Sequence, residues 1–259
     1  MRRLIGSTVV LFTVAAGVAA AQDAVLLRLS GTPGQGDRYR TTVETWVKGG
    51  QMASMLTDTV QPMQQMTMWQ TRTLTSAAGD TLVWTLVVDS ASAAFPAAPA
   101  MAQMADQVTS MLRGLTTVTR TDRRGHIYSS QITGGPMAGA GATNSSRAFY
   151  ALPEQPVRPG DTWRDSATVA GGDGTTTYVV DFRLERVEGT GGGRIAVISM
   201  SGSVSGQSAQ ASLSMQSTAE MRLDIASGRY VLLTMEMNGA AQGPMGEMPM
   251  RIRVSSQVQ

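Results

Sequence analysis

The 259-residue chain carries 21 basic and 19 acidic side chains, one histidine, no cysteine and 18 methionines. The absence of cysteine excludes thiol catalysis and thiolate metal sites, and so close a charge balance lacks the basic footprint of nucleic-acid binding. A chain of this length buries roughly 70–75% of its unfolded surface and needs no disulfide staples.

The first residues predict a secretory signal peptide over 1–21. Arg2 and Arg3 form a positive start, residues 4–20 an apolar stretch, and Ala19, Ala20 and Ala21 a small-residue cleavage site. The stretch is short and interrupted by Gly6, Ser7 and Thr8, so no membrane span is expected after cleavage near Ala21. Removing Arg2 and Arg3 leaves the 19 acidic residues matched one to one by basic ones. The expected destination is the periplasm or the exterior.

A first β half is predicted over 22–132. Its strands fall at 39–47, with Tyr39, Thr41, Val43 and Val47 inward, then at 66–74, 82–88, 115–121 and 126–132. Between them, Met101, Met104, Ala105, Val108, Met111 and Leu112 recur at helical spacing after Pro96 and Pro99 and before Gly114. This predicts one amphipathic helix over about 100–113. Residues 133–146, rich in Gly, Ala and Ser, predict a flexible connection, and a short helix is expected over 146–152, stopped by Pro153.

The second β half is predicted over 147–259. Strands are expected at 176–186, 194–204, 213–225, 231–237 and 248–254. The clearest is 213–225, where Leu213, Met215, Ala219, Met221, Leu223 and Ile225 alternate with Ser, Gln, Thr, Glu, Arg and Asp. One dry and one wet face imply an antiparallel sheet with a solvated side. A turn at 226–229 leads to Val231, Leu233, Met235 and Met237 on the inward period. The halves echo each other: Pro33-Gly34 precedes the first strand of one, Pro159-Gly160 the first of the other, and Asp122 and Asp224 each end a strand ahead of a glycine turn. The expected fold is mainly β (α+β), a long curved antiparallel sheet or half-barrel from two related halves, with one amphipathic helix packed on its apolar face.

The segment LPEQPVRPGDTW, 152–163, resembles an L-P-x-x-P-V-x-x-G-D-x-W signature in a family of uncharacterised bacterial secreted proteins. The layout of Asp-to-Gly hairpins with one helix is similar to half-barrel periplasmic lipoprotein carriers, which hold acyl chains on an apolar concave face. The first resemblance covers a dozen residues, the second only architecture, which by itself carries no function. Neither brings catalytic residues.

Catalytic constellations fail one by one. His126 is the sole imidazole and no G-x-S-x-G elbow occurs; the glycines of 189–193 precede a strand and no G-K-[ST] follows. Lys48 is the single lysine, which leaves Schiff-base chemistry to that residue alone. The pairs Glu185/Glu188 and Asp161/Asp165 lie at strand ends, and Arg251 with Arg253 reads as a solvated face. Two readings of the methionines stay open. Met101, Met104 and Met111 on the helix and Met215, Met221, Met235 and Met237 on the sheet line a face that holds an apolar, acyl-chain or lipid-like ligand, because thioethers re-pack around varied shapes. Alternatively, two P-M-x-x-M-x-M segments bring Met66, Met68, Met248 and Met250, with Trp69 and His126 nearby, to Cu(I), a soft ion that suits thioether ligands. Strand alternation opposes the second, since Met63 and Met245 would point the other way. A structural envelope protein with a filled interior is the third reading. The expectation is a binding protein and no enzyme; no cofactor and no nucleic-acid partner are implied.

Overall fold

The computed structural model describes residues 23–49, 56–136, 138, 151–171, 174–208, 211–244 and 246–259. The signal peptide, most of the 133–146 connection, the 146–152 helix up to residue 150, and Met245 lie outside them. Eleven strands form a single antiparallel sheet: β1 (Gly36–Val47), β2 (Gln64–Ala78), β3 (Thr81–Ala94), β4 (Thr116–Thr121), β5 (Ile127–Gly134), β6 (Thr162–Gly171), β7 (Gly174–Glu188), β8 (Ile195–Gln207), β9 (Ser212–Asp224), β10 (Arg229–Gly243) and β11 (Gly246–Val258). The order is β5-β4-β3-β2-β1-β11-β10-β9-β8-β7-β6. Each strand therefore pairs with its sequence neighbours, the first with the last, and only β5 and β6 fail to meet. The sheet is an open meander, not a closed barrel.

Alternation sets the faces. Met215, Met221 and Leu223 of β9 are buried, and their inward period is continued across the ladder by Val204 and Ile198 of β8 and by Leu233 of β10. The other face carries cross-strand polar pairs such as Arg164 with Asp181 and Thr168 with Thr177. Such exposed pairs contribute little stability. The sheet bends far enough that Leu74, Leu82 and Trp84 of β2 and β3 share one core with Leu184, Ile198, Met221 and Leu223 of β7, β8 and β9.

Two straps fill this core from inside. Residues 25–30 insert Val25, Leu27 and Leu29, and residues 151–157 insert Leu152 and Val157. The straps bridge each other antiparallel at Val25 and Val157. Each then enters its half through the same turn. Gln35 N donates to Thr32 O at 3.0 Å, and Asp161 N donates to Arg158 O at 3.0 Å. Pro33 and Pro159 occupy the second position of each turn, while Gly34 (φ +87°) and Gly160 (φ +96°) take the left-handed third. This is a type II turn, which needs both residue types in that order. Gly34 N then donates to Leu74 O on β2, and Gly160 N to Leu184 O on β7, at 2.8 and 2.7 Å.

The signature-like segment is thus a clasp. Leu152 is fully buried, Val157 bridges the other strap, the Asp161 carboxylate accepts from Arg158 N at 2.8 Å, and Trp163 Nε1 donates back to Ala151 O at 2.8 Å.

The helix, α1 (Met104–Leu112), is shorter than expected and follows a 3-10 turn at Pro99–Met101. Gly114 ends it in the left-handed region at φ +73°. Helix α1 sits over the far ends of β1, β2, β3 and β11, where Met101, Ala105 and Val108 pack on Val47, Met63, Phe95 and Ala98. No helix among the described residues is long and apolar enough to cross a membrane.

Candidate functional site

Between the straps and the inner face of the sheet lies a half-open cavity of about 270 Å³. Its apolar wall comes from Leu29 of the first strap, Trp84 and Leu86 of β3, Met221 of β9, Leu233 of β10 and Ile127 of β5. Arg72 and Gln70 of β2, Tyr39 of β1, Thr119 and Thr121 of β4, Tyr230 of β10 and Ser256 of β11 complete it. The volume falls just below the roughly 300–1,000 Å³ usual for ligand sites, the size of one short apolar chain.

β-Bulges build two of the walls. On β10, Tyr230 pairs with Leu223 and Leu232 with Arg222, so Val231 is the unpaired residue. The extra residue flips the face upstream of it. Tyr230 takes the inward place opposite Leu223 and lines the cavity, while Val231, expected on the inward period, is the bulged residue and is not among the lining. On β5, Thr121 pairs with Ile127 and Arg120 with Ser129, leaving Tyr128 as the extra residue, 55% exposed, while Ile127 turns into the cavity.

The polar groups cluster on one side. Thr41 Oγ1 lies 2.9 Å from Ser256 Oγ and 3.3 Å from Gln70 Oε1. The Tyr39 hydroxyl donates to Tyr230 O at 3.2 Å. Burial pushes the Tyr39 phenol above its ordinary pKa, against the opposing charge of Arg72. The Arg72 guanidinium stacks 3.8 Å from the Trp84 ring centre and 5.4 Å from that of Tyr230. Among the described residues Arg72 forms no ion pair. Asp37, opposite Arg72 in the β1–β2 register, is held by Arg229.

The structure separates the methionines grouped by sequence. Met221 lines the cavity. Met215 and Met237 pack in another cluster with Val169, Tyr178 and Val204, and Met235 is half-buried beside Ala219. On the helix, Met101 packs inward, but Met104 and Met111 are each 44% exposed. The helix and sheet methionines therefore do not form one lining, because α1 covers a different end of the sheet.

The four methionines proposed for Cu(I) are also apart. Met66 lies opposite Val43 and Met250 opposite Val47 on the two sides of β1, and Met68 lies further off, opposite Thr41. Four residues along and two strands across put the Met66 and Met250 Cα atoms roughly 16 Å from each other. Met248 and Met250 pack beside the helix cluster. Trp69 faces outward beneath Arg40, its ring centre 5.9 Å from the guanidinium, and His126 lies in the β4–β5 turn. Arg251 and Arg253 stack 5.3 and 5.4 Å from the Trp46 ring centre and pair with Glu236 and Glu44 on a face where both side chains stay partly exposed.

Comparison with known proteins adds little. No family model matches the chain. No curated protein matches it either. A solved structure from Bacteroides fragilis, described as a "putative exported protein with YmcC-like fold", aligns over 90% of this chain and 99% of its own, at 8% identity and a TM-score of 0.30. That degree of likeness supports no argument, so function must come from the site itself.

The turn beside the cavity is held by Asp122. Its carboxylate accepts from Arg124 N at 2.8 Å and His126 N at 2.9 Å, and lies 2.7 Å from His126 Nδ1. Burial pushes this carboxyl up, but the bonds from the His126 ring and the backbone outweigh it and hold it below the ordinary range. The turn in turn carries both straps: Leu29 N donates to Arg123 O at 2.7 Å and Leu152 N to Arg124 O at 2.7 Å. Replacing Asp122 with Asn is expected to cost about 2–3 kcal/mol at neutral pH, since buried donors lose a charged acceptor. A carboxyl with a depressed folded-state pKa stabilises above the unfolded value of about 3.9 and loses that contribution as pH falls through the folded value. The gap between wild type and Asp122→Asn in urea unfolding should therefore narrow below about pH 4; an unchanged gap at low pH would contradict the assignment.

Proposed function

We propose that this chain is an exported, non-catalytic binding protein that holds an acyl chain, or a ligand of similar shape, in the cavity between the first strap and the sheet. One observation carries the reading: the cavity walls are Leu29, Trp84, Leu86, Ile127, Met221 and Leu233, supplied by both wings of the sheet. A fold that only needed a filled interior has no use for such a space, since empty apolar volume costs contacts. The predicted signal peptide supports export. The dispersed methionine sulfurs give Cu(I) no support.

Trp84 offers a direct test by tryptophan fluorescence, with Trp84→Phe as the control for signal from the other three indoles. Decanoate and methyl decanoate, titrated below their aggregation limits, should each give a saturable change. Leu233→Trp, which fills the cavity, should abolish uptake while leaving the circular dichroism spectrum unchanged. Neither probe binding to folded wild-type protein, with native mass spectrometry also ligand-free, would remove the proposal.

A further inference from the structure

Resting on that reading, we infer that Arg72 anchors an anionic head group, and that the ligand is an aliphatic carboxylate whose tail fills the cavity. Arg72 occupies an inward position on β2, in the series Met66, Met68, Gln70, Arg72, Leu74, where every alternate residue faces the interior. Charged side chains are rarely turned inward without a partner. Most arginines nearby have one: Arg229 pairs with Asp37, Arg124 with Glu154, Arg253 with Glu44. Arg72 has instead two aromatic faces and the Tyr39 hydroxyl beside it.

Stacking fixes the plane of the guanidinium and leaves its edge, which carries the N–H donors, for an acceptor. That edge matches the two oxygens of a carboxylate in a bidentate fork. Of the residues that line the cavity Arg72 is the one charged side chain, a single positive unit. That favours a single carboxylate over a phosphate dianion.

The experiment compares decanoate with its methyl ester, equal in chain and different in charge. Wild-type protein should bind the acid about 10- to 100-fold more tightly, as expected for one charge-assisted pair. Arg72→Met, which keeps the unbranched stem, should lose the preference for the acid over the ester whatever its affinity for the ester itself; Arg72→Lys should retain part of the preference. Equal affinity of wild-type protein for acid and ester, or an undiminished preference in Arg72→Met, overturns the head-group assignment and leaves the acyl-binding reading standing. The wild-type comparison decides the matter even where a variant fails to fold. Binding of neither probe overturns the acyl-binding reading and this one with it.

Discussion

Phe182→Ala is expected to lower the free energy of unfolding by about 3–5 kcal/mol, the range for emptying a large aromatic site in a packed core. Phe182 is 2% exposed and belongs to the main cluster with Leu184, Ile198 and Met200. It is also the cross-strand partner of Trp163, with the two rings stacked 3° from parallel and their centres 5.3 Å apart. Aromatic pairs in register add about 0.5–1.5 kcal/mol beyond their buried area. Trp163 is the residue whose indole N–H holds Ala151 and so fastens the second strap. Removing the ring therefore loosens the edge strand β6 and the strap together, and the one flexible neighbour opposite it, Met200 of β8, can refill only part of the space. Urea unfolding followed by fluorescence and by circular dichroism should give a lower midpoint with an unchanged slope. Phe182→Leu should recover about half of the loss. A loss below about 1 kcal/mol would show that the cluster relaxes around the gap.

Alternation made the sheet legible. On β9 the three buried residues, Met215, Met221 and Leu223, all belong to the inward set read from sequence, because a strand with one wet face has no second way to hide them. Short turns between β2 and β3, β4 and β5, and in the run from β7 to β10 mark the hairpins of the meander, and the repeated Pro-Gly signals mark turns whose hydrogen bonds match between the halves. The cavity was less accessible to such reasoning. It depends on Tyr230 and Ile127 turning inward through bulges at Val231 and Tyr128, and a bulge leaves no trace in residue type at either place. Arg72 did leave a trace, since a charge on the inward period of β2 is a local conflict of the kind found at functional sites. The helix misled for a different reason. Its apolar stripe was genuine, but periodicity states only that a face is covered, not by what, and α1 covers the ends of β1, β2, β3 and β11. The straps went unread for two reasons: 25–30 alternates, with Val25, Leu27 and Leu29 buried and Leu26 exposed, but over too few residues to stand out as a strand, and 151–157 carries no such alternation.

Leu27→Ala is expected to cost about 2–5 kcal/mol, and to reveal how the straps are held. Leu27 is fully buried in the main core, contributed by a segment that belongs to no strand of the sheet. Around it the strap is tied by few bonds: Val25 N to Val157 O at 2.8 Å, Leu29 N to Arg123 O at 2.7 Å, and Arg28 to the carbonyls of Pro153 and Glu154, each at 2.7 Å. A segment with so few backbone bonds has a local opening energy set mainly by its buried side chains. Truncating Leu27 should therefore lower local opening more than it lowers global unfolding. The measurement is amide exchange at Leu29 and Val157, against amides of β8 and β9 as the global reference. In wild type the strap amides should exchange more slowly than the edge strands. In Leu27→Ala they should exchange at least tenfold faster while β8 and β9 change less. Equal acceleration everywhere would mean that strap and sheet open as one unit, in which case Leu29 could not act as a movable wall of the cavity. Selective acceleration would show that the strap opens independently of the sheet, since displacing Leu29 uncovers Trp84 and Met221 without breaking a single rung of it.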